Sequence, residues 1–336
     1  MAAPAVLARS RALVEPALVA AVRELADELL PAIRYHFGWA GPDGALADVD
    51  TGKRLRPALA VLSAEAVGAE PSVALPGALA VELVHNFSLV HDDVVDGDTE
   101  RRHRLTVWAA FGTDEALIAG DALHTLAFQV LLAEADRPRV TAARRLVSAT
   151  TAMIAGQAAD MALDDQSVVT LEDCLAMEAA KTGALLGYAS SVGAVLADAD
   201  PVTVDALDSY GRQLGLAYQA VDDVLGIWGE PEVTGKPAGN DLRQRKKSMP
   251  VAVVLSAGGT AAADLGAVYG RRGTLDDDEV ARAAAIIESA GGREATLAEA
   301  GRRLEAALVS LEGVELEPRA LRELEEVARF VVEREA

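Results

Sequence analysis

Cysteine is almost missing from this chain. Cys174 is the only one in 336 residues, so no internal disulfide is available and a reducing compartment is expected. Aromatic residues make up only 4% of the chain, and alternating apolar and polar runs rich in β-branched residues hardly occur, which argues against a sheet-based fold. No run of 18 uncharged apolar residues stands out. The segment from Met1 to Glu15 carries Arg9 and Arg11 but no continuous apolar core of the signal-peptide kind. No transmembrane segment and a cytoplasmic location are therefore expected. An overall basic balance is lacking too: the net charge is −21, and nucleic acid is not an expected partner.

What the chain has in abundance is alanine and leucine at helical spacing. The periodicity predicts helices over 12–37, 57–67, 72–95, 114–134, 140–163, 171–197, 201–228, 250–256, 276–290, 293–311 and 318–333. The first 12 residues read as loosely ordered. The Gly/Pro cluster after Phe37 ends one helix, and the longer loops fall at 38–52, 97–106 and 229–247. The expected fold is all-α, a single-domain bundle of about ten helices.

Two aspartate pairs end long apolar helices: Asp92-Asp93, followed by Asp96 and Asp98, and Asp222-Asp223. Asp92 and Asp96 are spaced i and i+4 and share a helix face, where like charges repel. Carboxylates at such sites need compensation, and two clusters of hard oxygen ligands suit divalent metal, Mg2+ foremost, shared with substrate phosphates. The clusters differ, because Gly226 stands where the second would carry a third acid. Four basic groups run against the acidic average: Lys53, Arg54 and Arg56 beside Gly52 and Pro57; Arg101, Arg102 and Arg104 around His103; Lys181 before Thr182; and Lys236 to Lys247, with Arg243, Arg245 and Lys246. Arginine forks, lysine charges and helix starts suit two polyphosphate groups, one bridged by metal and one held directly. By contrast Asp276, Asp277 and Asp278 read as a solvated helix start.

In order and spacing these segments resemble the trans-prenyl diphosphate synthases. Asp92, Asp93, Asp96, Arg101 and Arg102 match the family pattern D-D-x-x-D-x-x-x-x-R-R. Gly52-Lys53-x-x-Arg56-Pro57, Gly156-Gln157-x-x-Asp160, Lys181-Thr182, Gln219-x-x-Asp222-Asp223 and Asp241-x-x-x-x-Lys246 are similar to its further motifs. The departures are Gly226, and His103 and Leu105 in the stretch after the first motif.

The resemblance, to farnesyl and geranylgeranyl diphosphate synthases in particular, implies a helical bundle around a central cavity, several Mg2+ ions and a homodimer. It implies head-to-tail condensation of isopentenyl diphosphate with an allylic diphosphate. Asp92, Asp96 and Asp222 would hold the metal. Arg101, Lys181, Lys236 and Lys246 would neutralise the leaving diphosphate. Lys53, Arg56, His85 and Arg102 would hold isopentenyl diphosphate. Thr182 and Gln219 would shield the allylic cation. The missing acid at Gly226 would weaken metal affinity without abolishing chemistry. Phe87 and Ser88, roughly 6–7.5 Å below Asp92 along the helix, would set product length, with C20 favoured over C15. A terpene cyclase on the same scaffold and a non-catalytic synthase subunit are the competing readings. His36 and His124 have no ligand-spaced partners, His91 reads as shaping the field beside the first motif, Cys174 reads as a buried small hydrophobe, and Trp108 and Trp228 as packing residues.

Overall fold

The computed structural model describes residues 3–47, 49, 52–164, 166, 169–230, 238–270 and 274–333. Its helices are α1 (Ala5–Arg23), α2 (Leu30–His36), α3 (Leu55–Ala66), α4 (Leu75–Asp96), α5 (Val107–Phe111), α6 (Thr113–Leu131), α7 (Arg137–Asp164), α8 (Leu171–Glu178), α9 (Ala184–Leu196) and α10 (Pro201–Trp228). They continue as α11 (Asn240–Arg243), α12 (Met249–Ala257), α13 (Gly259–Tyr269), α14 (Asp277–Ser289), α15 (Gly292–Ser310) and α16 (Pro318–Val332). A π-helical turn over Ala179–Gly183 joins α8 to α9.

The bundle is built around α9 and α10. From Ala184 to Val195 every residue of α9 is buried, and the helix packs on α3, α4, α7 and α10. Small residues permit this closeness: a Cβ on Gly193 would stand 2.6 Å from the Ala64 nitrogen of α3. The other face of α10 rests on α15, and α4 pairs with α6. Leu59, Leu62, Leu83, Leu123, Leu146, Leu185, Leu207 and Leu214 are fully enclosed in the resulting core. Each such leucine gives roughly 1.5–3 kcal/mol of burial free energy before entropy is charged against it. By length and hydropathy Pro71–Asp96 would be apolar enough to cross a membrane. In the fold it is a bundle helix, with 61% of its most apolar window buried.

The observed helices depart from the sequence expectation at definite places. Residues 5–12 are not loose: α1 starts at Ala5 and buries Val6, Leu7 and Ser10. The stretch 12–37 is not one helix, because Pro31 opens the first turn of a new one after the short 3-10 turn Asp27–Leu29. The loop 97–106 contains a two-stranded hairpin pairing Glu100 with Leu105 and Arg101 with Arg104. Its turn residues Arg102 and His103 have φ of 52° and 60°, where glycine or asparagine is usual, so the turn carried no ordinary sequence signal. Helix α13 was also unforeseen.

Candidate active site

The long helices end around one cavity of about 830 Å3. Its wall brings together residues far apart in sequence: Lys53 and Arg56 at the start of α3, His85 on α4, Arg101 and Arg102 on the hairpin, Lys181 and Thr182 on the π turn, Gln219 and Asp222 on α10, and Lys246 after α11. Lys236 lies outside the described residues.

Part of the wall is cationic, with Lys53, Arg54, Arg56 and Arg102 around His85. Arg56 is half-buried there, and its buried Nε has no hydrogen-bond partner. An orphaned buried donor of this kind suits an anionic oxygen. Arg102 lies over the backbone of Gly52, whose φ of 127° favours glycine; a Cβ there would stand 2.8 Å from an Arg102 Nη. His85 is held neutral, its pKa driven well below the ordinary value by burial and by Arg56, Arg102 and Arg101. The Lys53 Nζ sits 4.7 Å from the centre of the Phe330 ring of α16.

Another part of the wall is acidic, with lysines interposed. Lys181 Nζ is 2.5 Å from Asp160 Oδ2, and Lys246 Nζ is 3.4 Å from Asp96 Oδ2. Burial works against the Lys246 ammonium, but Asp96, Asp241, Asp160 and Asp98 outweigh it and hold its pKa above the usual lysine range. Burial pushes the Asp92 carboxyl up to about 6; Asp96 adds to the rise, while Lys181 and Arg101 oppose it. Asp92 and Asp96 are not themselves lining residues and communicate with the cavity through these cations. Asp93 points elsewhere: it is 2% exposed and anchors Arg101, whose Nε donates to Asp93 Oδ1 at 2.8 Å.

On α10, Gln219 links two groups. Its Nε2 donates to Asp223 Oδ1 at 2.8 Å, and its Oε1 accepts from Thr182 Oγ1 at 2.9 Å. Asp223 also accepts from the Met249 amide at 2.7 Å, and burial raises its pKa to about 7. Behind it lie Cys174 and Glu178. The potential ligand atoms of Cys174, Glu178 and Asp223 fall within 4.8 Å of one another. Burial raises the pKa values of the Cys174 thiol and the Glu178 carboxyl, and the neighbouring Asp223 adds to both rises. The hard carboxylates Asp92, Asp96, Asp222 and Asp241 fit Mg2+ better than this thiol-containing group. Asp92, with its raised pKa, is the kind of carboxylate that a cation would relieve.

Two expectations about product length find no direct place in the wall. Neither Phe87 nor Ser88 lines the cavity; Leu89 does. Phe87 instead meets His91 edge-on and His124 at a tilt, at 4.8 and 4.9 Å between ring centres, and Ser88 Oγ donates to the His85 carbonyl within its own helix. Sequence reasoning passed over Glu82, Glu178 and Tyr218, all at the wall, and counted Arg54 only as one of a basic cluster. Glu82 and Glu178 each stand one helical turn before a recognised site residue, His85 and Lys181, and an acid in an apolar run was the available signal.

Over residues 47–287 the sequence matches the family described as polyprenyl synthetase. The chain belongs to the polyprenyl synthetase family. It is 46% identical over 335 residues to a (2E,6E)-farnesyl diphosphate synthase of Mycobacterium tuberculosis, covering 98% of this chain and 93% of that one. A geranylgeranyl diphosphate synthase of the same organism is 42% identical over 308 residues, covering 91% and 88%. Among solved structures, a polyprenyl synthetase from Streptomyces coelicolor A3(2) superposes with a TM-score of 0.94 at 50% identity, covering 98% of this chain and 99% of that one. The all-α architecture around a central cavity and the prenyltransferase class expected from the motifs both hold for this family.

Proposed function

We propose that this chain, acting as a single prenyl diphosphate synthase domain, condenses isopentenyl diphosphate head-to-tail with an allylic diphosphate to give a C20 prenyl diphosphate. The observation that carries the reading is the division of one cavity. A cationic group of Lys53, Arg56, His85 and Arg102 lines the same cavity as a carboxylate group containing Asp160, Asp222 and Asp241.

The cationic group would bind isopentenyl diphosphate, with Lys53, Arg56 and Arg102 on its oxygens and neutral His85 as a hydrogen-bonding neighbour. Asp92, Asp96 and Asp222 would hold several Mg2+ ions, which when bound supply electrostatic stabilisation of the departing diphosphate. Arg101, Lys181 and Lys246 would share that charge, with Lys236 added from the adjoining segment. The allylic C–O bond breaks, the isopentenyl double bond supplies the electron pair for the new C–C bond, and the proton lost from isopentenyl passes to the released pyrophosphate. Thr182 and Gln219, fixed by their mutual hydrogen bond, would exclude water from the cation.

The C20 assignment is supported by one aromatic, Phe87, beside the small Ser88. A homodimer is supported by exposed apolar residues on adjacent helices: Leu117 (41%) and Ile118 (55%) of α6, with Val147 (51%), Ile154 (52%) and Met161 (52%) of α7. The α7 residues recur every seventh position and share one face. A cytoplasmic location is supported by the single buried Cys174.

The test is incubation with isopentenyl diphosphate, Mg2+ and dimethylallyl, geranyl or farnesyl diphosphate, with products read by mass spectrometry. Elongation ending at C20 is expected. Products stopping at C15 would correct the length alone. Released hydrocarbon would replace the reading with a cyclase, and absence of turnover with a non-catalytic subunit. Light scattering reads the dimer.

A further inference from the structure

We infer that Arg54 and Glu82 are positioning residues that set the shape of the isopentenyl diphosphate cradle, an inference resting on the function proposed above. Arg54 lies between the two cradle cations of α3, yet its own charge is committed to the protein. Arg54 Nη1 is 2.5 Å from Glu82 Oε1, and Nη2 is 3.3 Å from Glu15 Oε2. The Arg54 and Glu82 side chains are each only 5% exposed.

The backbone at this point is strained. Arg54 caps the start of α3 in the left-handed region at φ 51°, ψ 41°. For a residue with a Cβ that conformation is unfavourable and persists where the surroundings over-determine it. Here the surroundings are specific. Glu82 Oε1 also accepts from Asn86 Nδ2 at 3.0 Å, and Asn86 Oδ1 is 2.9 Å from His36 Nε2. Glu15 of α1 accepts from Trp39 Nε1 at 2.8 Å. The Arg54 guanidinium also lies 5.4 Å from the centre of the Phe37 ring.

Glu82 and His85 occupy neighbouring turns of one face of α4, so the guanidinium fork of Arg54, one nitrogen on Glu82 and the other on Glu15, fixes the start of α3 against His85. Lys53 and Arg56 are thereby held at a set distance from the imidazole. Stability alone is a weak account of such a pair, because desolvating two charges offsets most of their attraction and a well-packed apolar pair is often as stable. A geometric role needs the fork, since a lysine or an apolar side chain cannot reproduce its directed hydrogen bonds.

The double variant R54M/E82M removes both charges together and leaves neither unpaired, and R54K keeps the charge without the fork. Each is compared with the wild type by thermal unfolding, by KM for isopentenyl and allylic diphosphates, by kcat, and by calorimetric titration with isopentenyl diphosphate in the absence of Mg2+. The expected result is a folded R54M/E82M protein with KM and Kd for isopentenyl diphosphate raised about ten- to a hundredfold. The allylic KM should stay within about twofold, and R54K should lie between the two. Unchanged isopentenyl affinity in folded R54M/E82M overturns the inference. So does an equal rise in both KM values. If the double variant does not fold, R54K alone decides by the same split. A wild type that fails to elongate at all would instead remove the proposed function.

Discussion

The Asp241 carboxylate fills the space that a side chain at Gly226 would occupy: a Cβ on Gly226 would stand 2.5 Å from Asp241 Cγ, with Oδ2 closer still. The second aspartate cluster therefore has an acid at the place where α10 lacks one, delivered from α11. Restoring an aspartate at 226 should displace Asp241 rather than complete the cluster. Gly226→Asp is expected to lower kcat about tenfold, equivalent to about 1.4 kcal/mol of barrier, and G226D/D241G should recover most of the loss. Steady-state rates across a Mg2+ titration measure both. A G226D enzyme as active as the wild type would show that Asp241 is dispensable in that notch.

Phe87 packs between α4 and α6, with rings from His91 and His124 against it. Removing the ring should open that space to the cavity beside Leu89. Phe87→Ala is expected to shift products toward chains longer by one or more C5 units, at a stability cost of up to about 3–5 kcal/mol. Product analysis by mass spectrometry decides, and an unchanged distribution would clear Phe87 of any part in chain length.

His36 is neutral in the folded chain. Burial drives its pKa down to about 3, assisted by Arg101, Arg102 and Arg54 and opposed by the hydrogen bond to Asn86. In the unfolded chain a histidine titrates near 6.5, roughly the reference value. Below that pH the unfolded chain takes up a proton that the folded chain refuses. Stability should therefore be fully present above pH ~6.5 and fall toward pH ~3, by about 1.4 kcal/mol per pH unit at most for this one group. Thermal unfolding between pH 7 and pH 4 should show a shallower decline for His36→Gln. An identical slope in the variant would assign the acid sensitivity elsewhere, His85 being the next group with a depressed value.

Gly156 lets α7 approach the π turn so closely that a Cβ there would stand 2.7 Å from Lys181 Cα. Gly156→Ala should push the two apart, costing about 1–3 kcal/mol and loosening the Lys181–Asp160 pair. Denaturant midpoints and kcat should fall together. An alanine variant that keeps both would mean that the backbone gives way without moving Lys181.

Helix α10 shows why so much was legible. Its start is written locally, with the Asp200 side chain accepting from the Thr203 amide and Pro201 in the first turn, and Gly229 ends it. The aspartates on it and on α4 are recognisable because acids at the ends of apolar helices conflict with burial. What the sequence did not disclose depends on contacts between distant segments. The separation of α1 from α2 turns on Pro31, which sits within an otherwise periodic apolar run. The hairpin turn through Arg102 and His103 lacks a glycine. Gly226 reads as a vacancy until Asp241 is seen beside it, and Arg54 reads as one more phosphate-binding cation until Glu82 is found against it.

The π turn at Ala179–Gly183 also bears on how this enzyme tolerates change. It accommodates one residue more than a regular helix would hold there. Deleting a single residue from α8 would let the backbone relax into an unbroken α-helix, and by local propensity the chain would gain. That same deletion would turn the residues lying between it and the π turn by about 100° about the helix axis, carrying Glu178 away from Asp223 or Lys181 and Thr182 off the cavity. Length variation between Leu171 and Leu196 is thus barred in a segment whose composition, rich in alanine and glycine, would otherwise accept it.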